Sequence, residues 1–507
     1  MRLGRVFSFI FCISSLTLTC ASFADTPEAT LLPVSHNGTK LVDSAGRQMV
    51  FHGLDVISKH APYEPSAAGF SEKDVEFLQK QGFNLVRLGV MWSAIEPNAG
   101  QPYNDSYLAN IKSTINLLAK HGIYTVIDFH QDGYSAKDNL GVGMPSWASL
   151  GKSPTANSFN PGFPLSYRGG TKVGQKVITM ETDNNFSQFW ADTRAPQKNM
   201  GLQTAYANML THTAAYFKGT KSIIGYEIMN EPFIGDNWKS CIAASKPNSG
   251  CQEFASTTLQ MFSEKMSAAI HQGDPNTIAW MEPEVNFDLG ENTYLNNANL
   301  PNSGFSFHDY NTDVSVPIAK AVQFQAKNNS PILMTEFGAA TASDKQLSQI
   351  TSLADSDNLS WSEWAYFNNP DFKFPSVNGH VIQNPISQGI VLHDDQPLTG
   401  SNVNWNRLKI LTRPYPQAIA GSKVSFEFSP QKLSLNLHYI SNAFTSDATS
   451  KVTIITVPGS IYNVADMTLN GAQLINHQGN ILTFKNTSPG TPVSISLQLK
   501  QVLTPKN

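Results

Sequence analysis

Eight runs rich in apolar, β-branched and aromatic residues recur between about residues 49 and 367, bounded by Gly, Pro, Asn or Asp. They read MVFHGLDV (49–56), FNLVRLGVMW (83–92), IYTVIDFH (123–130), IIGYEIMNE (223–231), TIAWMEPE (277–284), GFSFHDY (304–310), PILMTEFG (331–338) and LSWSEWAYF (359–367). Segments of helical period separate several of them, such as SEKDVEFLQKQG, opened by Ser71 as an N-cap, and YLANIKSTINLLAKHG, which ends at Gly122. Strand and helix alternating eight times predicts an α/β fold, a (β/α)8 TIM barrel whose active site lies at the carboxyl ends of the strands. The longest interruption, about 131–200, is rich in Gly, Pro, Asn and Ser and follows the third strand, over the active face. After ILTRPYPQAIAG (410–421) the pattern shifts to short alternating runs, VSFEFSP, KLSLNLHYI, KVTIITVP, ILTFKN and VSISLQLK. These predict a C-terminal antiparallel β-sandwich. The expected division is 1–24 leader, 25–410 barrel, 411–507 sandwich.

A chain of 507 residues exceeds one ordinary domain, which agrees with that division. Its net charge of −4 provides no general field for nucleic acid or an anionic membrane, so no nucleic-acid partner is expected. Arg2 and Arg5, the apolar run VFSFIFCISSLTLTC and the small residues Ser22 and Ala24 form a secretory signal, with cleavage expected after Ala24. Cys20 suits a lipid anchor poorly, because Thr17 and Thr19 depart from that pattern. No later run is long and apolar enough to span a bilayer. The expectation is a secreted monomer. Of the four cysteines, cleavage leaves Cys241 and Cys251 across a polar loop, and an oxidising compartment favours their disulfide.

Polar groups collect where the strands end: Arg87 within the second, His130 and Asp132 after the third, Asn230 and Glu231 after the fourth, Glu282 and Glu284 after the fifth. His308 and Tyr310 follow the sixth, Glu336 the seventh and Trp364 the eighth. Burying each such group without a partner costs about 1–3 kcal/mol, so a barrel with no site has no need of them all. Two carboxylates across a barrel mouth, here Glu231 and Glu336, are the minimum equipment for glycoside hydrolysis: one protonates the leaving oxygen, the other attacks the anomeric carbon or activates water. His130-Gln131-Asp132 with His308-Asp309 offers metal-ligand types, but no third set has ligand spacing, so no metal or cofactor is expected. Glu282 and Glu284 receive no role.

The motifs NEP, HDY and TEFG, in that order on the fourth, sixth and seventh strands, resemble glycoside hydrolase family 5 and its retaining clan of barrels. The resemblance covers about residues 40–370 and implies Glu231 as general acid/base and Glu336 as nucleophile. It implies Asn230 on the sugar 2-hydroxyl, Tyr310 and Arg87 holding Glu336 charged, His130 and His308 lining the sugar subsite, and Trp364 stacked beneath the ring. FHGLDVISKHAPY, DFHQDGYS, FWADT and the C-terminal sandwich are similar within that family to the endoglycoceramidases, secreted enzymes that release the intact oligosaccharide of a glycosphingolipid. That likeness implies Lys59, Asp132 and Trp190 as further sugar-binding residues.

Three functions compete on this reading. The first is endo-hydrolysis of glycosphingolipids, with transient contact to micelle or membrane surfaces through an apolar groove expected around Phe233, Ile234 and Phe367. The second is endo-hydrolysis of a plain β-glucan by the same carboxylates. A non-catalytic carbohydrate-binding barrel is the third, and the intact carboxylate pair argues against it.

Overall fold

The computed structural model describes residues 31–135, 137, 141–151, 180–235, 249–297, 300–338, 342–367, 373–374, 382–383, 389–393 and 396–502. Eight strands, β1 (His52–Val56), β2 (Leu85–Val90), β3 (Tyr124–Phe129), β4 (Ile223–Glu227), β5 (Ala279–Met281), β6 (Ser303–Asp309), β7 (Ile332–Phe337) and β8 (Ser360–Glu363), pair in parallel and in chain order, and β8 closes on β1. Each is buried at every residue, because one face fills the barrel and the other packs under helices. The helices present matching stripes: Asp105–Lys120 buries Leu108, Ile111, Ile115 and Leu118 at helical spacing, each side chain contributing about 1.5–3 kcal/mol. Asn104 caps that helix by accepting from the Tyr107 N–H, and Ser71 with Asp74 forms a capping box on Glu72–Lys80.

The C-terminal unit is a sandwich of two antiparallel sheets around Tyr415, Phe426, Leu437, Ile455, Leu482, Phe484 and Ile495. The expected barrel span of 25–410 needs a correction at its start. Val34–Asn37 and Lys40–Asp43 form a hairpin through Gly38 at φ 57°, and the following Gln48–Met49 pairs with Tyr415–Ile419, so residues 34–49 complete a seven-stranded sheet of the sandwich. Chain order alone groups these residues with the barrel, because it carries no information on sheet partners. Their apolar faces cover the amino ends of the barrel: Val34, Leu41, Met49 and Ala418 pack with Leu85, Tyr124, Ile224, Ile278, Trp280 and Leu333.

That end is closed by polar contacts as well. Arg413 forms a buried ion pair with Asp355, its Nε donating at 3.1 Å, and the His52 ring is stacked between Trp361 and Tyr415. Tyr415 Oη donates to the Gly82 carbonyl, and Asn480 to those of Gln79 and Lys80. The excursion after β3 carries the helix Met180–Trp190 and a two-stranded ribbon, Arg194–Ala195 with Met200–Gly201. The expected leader lies outside the described residues, as does Cys241, whereas Cys251 is buried at the start of a helix. Among the described residues no helix is long and apolar enough to cross a membrane.

Replacing Asp355 with Ala leaves the Arg413 guanidinium buried without its counter-charge, and the expected loss of unfolding free energy is roughly 3–5 kcal/mol by denaturant titration. A loss below about 1 kcal/mol, the range of an exposed pair, would show that this contact does not hold the two units together.

Candidate active site

Arg87 lies at the centre of the barrel, fully buried on β2. Its guanidinium meets four carboxylates: Glu227 at 2.6 Å, Glu336 at 3.1 Å, Asp128 at 3.2 Å and Asp55 at 3.3 Å. A fifth contact reaches Asn230 Oδ1 at 2.6 Å. The planar fork of donors thereby fixes side chains from β1, β3, β4, β7 and the end of β4 relative to one another. Glu336 also accepts from the Tyr310 hydroxyl, so both of its oxygens are held by donors.

Glu231 leaves β4 in the left-handed region, φ 44°, a conformation costing on the order of 1 kcal/mol for a residue with a Cβ. The surroundings compensate. Its N–H donates to Glu282 Oε1 at 2.8 Å, and the Gln131 side-chain amide donates to the carbonyls of Asn230 and Glu231 at 2.8 and 3.0 Å. Asn230 Nδ2 in turn donates to the Gln131 carbonyl at 2.9 Å. The imidazole of His308 joins the two candidate carboxylates, with Nδ1 3.4 Å from Glu231 and Nε2 3.9 Å from Glu336.

A second patch adjoins this one through Asp128. His130 Nδ1 lies 2.7 Å from Asp128 Oδ2, while Nε2 is buried with no hydrogen-bond partner among the described residues. The His130 ring is near-parallel to Trp364, and Lys59 Nζ stands 4.5 Å from the Trp364 ring while donating to Asp132 at 2.8 Å. Lys59, His130, Asp132 and Trp364 therefore form one cluster.

Trp190 sits differently. Its Nε1 donates to the Phe233 carbonyl at 2.7 Å and its half-buried ring packs with Phe186, Phe189, Phe254 and Phe262, which holds the chain that follows Glu231. The groove expected at Phe233, Ile234 and Phe367 is also corrected. These side chains are 3 %, 0 % and 3 % exposed and belong to the main core, where their bulk is better satisfied by other aromatics than by solvent.

Asp55, Asp128, Glu227, Gln131 and Glu282 escaped the sequence reading as site residues. The signal for the first three was present: one acid within each strand, Asp55 and Asp128 on the two strands that flank Arg87 and Glu227 on the strand after them. His308 also gathers groupings that could hold a cation, with Glu231 and Asp288 or with Glu227 and Glu282. In the second grouping Glu227 already accepts from Arg87 and Thr335, and a guanidinium at 2.6 Å opposes a metal ion there.

Residues 42–370 match the Cellulase family, glycosyl hydrolase family 5, and residues 413–497 match the glycoside hydrolase family 5 C-terminal domain. The chain belongs to glycosyl hydrolase family 5. It is therefore a glycoside hydrolase of a retaining family. Similar proteins include the endoglycoceramidase of Cyanea nozakii, 28% identical over 88% of each chain. Endoglycoceramidase I of Rhodococcus hoagii (strain 103S) is 30% identical over 52% of this chain and 48% of that one. Endo-glycoceramidase II from Rhodococcus sp., solved as a ganglioside GM3 complex, shares the fold at TM-score 0.68 and 21% identity, over 91% of this chain and 99% of that one.

The excess of acids over bases in this family 5 barrel has a measurable consequence. Burial pushes Asp128 up to about 7 against the pull of Arg87, Glu284 up to about 7, and Glu363 up to about 7 against Arg407. Burial likewise raises Asp55, Glu227 and Glu282. Between the ordinary values of 3.8 for Asp and 4.5 for Glu and these raised ones, the folded chain holds more protons than the unfolded chain. Stability from this source is complete at the acidic end and is lost as pH rises. The thermal midpoint should fall between about pH 4.5 and about pH 7, with net proton release on unfolding in that window. A midpoint that rises over the same interval would contradict the assignment of raised carboxyls.

Proposed function

We propose that the chain is a secreted endoglycosidase that cleaves the β-glycosidic bond between oligosaccharide and ceramide in glycosphingolipids. The observation that carries the chemistry is the unequal setting of the two carboxylates around His308. Glu336 is held by the Arg87 guanidinium and the Tyr310 phenol, whereas Glu231 faces an imidazole and is fixed through its main chain. Glu336 attacks the anomeric carbon while Glu231 protonates the departing ceramide oxygen. Glu231 then takes a proton from the water that attacks this carbon and releases Glu336. Asn230 has one amide hydrogen engaged by Gln131, which leaves the other for the sugar 2-hydroxyl. Lys59, His130, Asp132 and Trp364 serve the sugar, His308 and Tyr310 its reacting end, and Arg87 supports them.

The substrate class rests on similarity to a protein named as an endoglycoceramidase along 88% of both chains, barrel and sandwich together. Export through a leader at residues 1–24, a Cys241–Cys251 disulfide, action as a monomer and transient contact with micelle or membrane surfaces complete the proposal. The lipid groove is not assigned to Phe233, Ile234 or Phe367, which are core residues.

Incubation of the mature protein with a ganglioside and, separately, with a soluble β-glucan should release an intact oligosaccharide from the first alone. Release from the glucan only would transfer the reading to an endo-β-glucanase, and release from neither to a carbohydrate-binding protein. Glu336→Gln should reduce turnover by at least about 1000-fold on every substrate, while Glu231→Gln should retain hydrolysis of aryl glycosides whose leaving groups need no proton. Near-normal turnover in Glu336→Gln would remove it as nucleophile.

A further inference from the structure

Glu282 follows β5 directly, is 2 % exposed, and was left without a role by the sequence and by the reaction scheme above. Its Oε1 accepts the N–H of Glu231 at 2.8 Å and lies 3.5 Å from His308 Nε2. The other imidazole nitrogen, Nδ1, is 3.4 Å from the carboxyl of Glu231. One carboxyl of the fifth strand end thus bears on the main chain of Glu231 directly and on its side chain through a single ring. A further contact joins the same two segments, since the Val285 N–H donates to the Pro232 carbonyl at 3.2 Å.

We propose that Glu282 is a positioning residue for the general acid/base: it holds Glu231 in its left-handed turn and, through His308, governs delivery of the Glu231 proton to the leaving group. The arrangement exceeds what packing alone needs. A β-strand end can cap a neighbouring N–H with a carbonyl or a small hydroxyl, whereas here a complete carboxyl is buried, and its Oε2 has no hydrogen-bond partner among the described residues. Such an atom is a net cost in a merely structural role. Facing Glu282 are Glu227 on β4, Arg87 on β2, Asp128 on β3, Asp288 beyond β5, His308 on β6 and Glu231 itself. Burial together with Glu227 favours the protonated form of Glu282, opposed by Arg87. The carboxyl accepts from the Glu231 N–H as a neutral acid at low pH, and on losing its proton at higher pH it sets a negative charge near Glu231 that retains the proton there.

The proposal rests on Glu231 as acid/base, and the experiment separates the two. Glu282→Met preserves volume and removes the acceptor, Glu282→Gln preserves an acceptor oxygen and removes the titration, and Glu231→Gln is the reference. With a poor leaving group, Glu282→Met should lower kcat about 10- to 100-fold with KM unchanged, part of the 100- to 10,000-fold contribution of a general acid. With a dinitrophenyl glycoside its turnover should be restored by azide. Azide needs no general base: it attacks the anomeric carbon of the glycosyl enzyme, displaces the Glu336 carboxylate and yields a glycosyl azide. Glu282→Gln should recover most of the lost rate but move the basic limb of kcat/KM to lower pH, because an amide cannot develop the charge that retains the proton on Glu231. Equal losses on both substrates without azide rescue, or an unmoved basic limb in Glu282→Gln, would overturn the proposal, and the Gln variant decides it should the Met variant fail to fold. Absence of azide rescue in Glu231→Gln would instead place the error in the acid/base reading.

Discussion

Everything at the mouth of this barrel is referred to one buried guanidinium. A positive charge with no access to water must be neutralised in place, and Arg87 is met by four carboxylates and one amide oxygen. Five donors in a rigid plane cannot be shared among flexible partners without fixing their directions. Arg87 therefore sets where Glu336 stands and how Asn230 is turned. Through Asp128 it also orients His130, so the sugar cluster and the carboxylate pair share one frame of reference.

Four acids around one base leave more acid than the local cations can match, and the proton inventory follows. Asp55, Asp128 and Glu227 have their proton affinity raised by burial in spite of Arg87. Chemistry that begins with a proton donor and an attacking carboxylate side by side benefits from such an interior, because small differences in setting decide which carboxyl holds a proton. The guanidinium stands with Glu336 and the imidazole with Glu231, which gives the pair its asymmetry.

The barrel and its motif order were legible because both obey short-range rules: eight apolar runs, helical stripes between them, and polar residues at the strand ends. Five strands of the sandwich were legible for the same reason. Other features depend on long-range pairing that no local pattern encodes. The hairpin at 34–43 looks identical whether it joins barrel or sandwich. Residues 472–478 were missed as a strand because six of the seven are exposed at a sheet edge, where alternation has nothing to report. Phe233 and Ile234 were read as a groove because an apolar pair after a catalytic motif has the same spelling in core and cleft. The indole N–H of Trp190 holds the backbone of Phe233, a contact that the resemblance does not announce. Glu282 was passed over since its partner is a peptide N–H, a group every residue has.

The two ends of the barrel divide the demands of folding and function between them. At the amino ends the N-terminal strands and the sandwich bury a largely apolar surface, with Arg413 paired to Asp355 and the His52 ring stacked between Trp361 and Tyr415. At the carboxyl ends a left-handed Glu231, four acids around one arginine and a Glu282 oxygen with no hydrogen-bond partner among the described residues are retained together. Each of these features costs of the order of a kilocalorie or more, while the whole margin of a folded chain is only about 5–15 kcal/mol. A strained mouth can persist only if the rest of the fold over-determines it, and the sandwich does this by sealing the end that does no chemistry. On this view the C-terminal unit needs no contact with substrate to matter for catalysis. It stabilises the strand register from below, and register is what brings the ends of β4, β5, β6 and β7 to one imidazole.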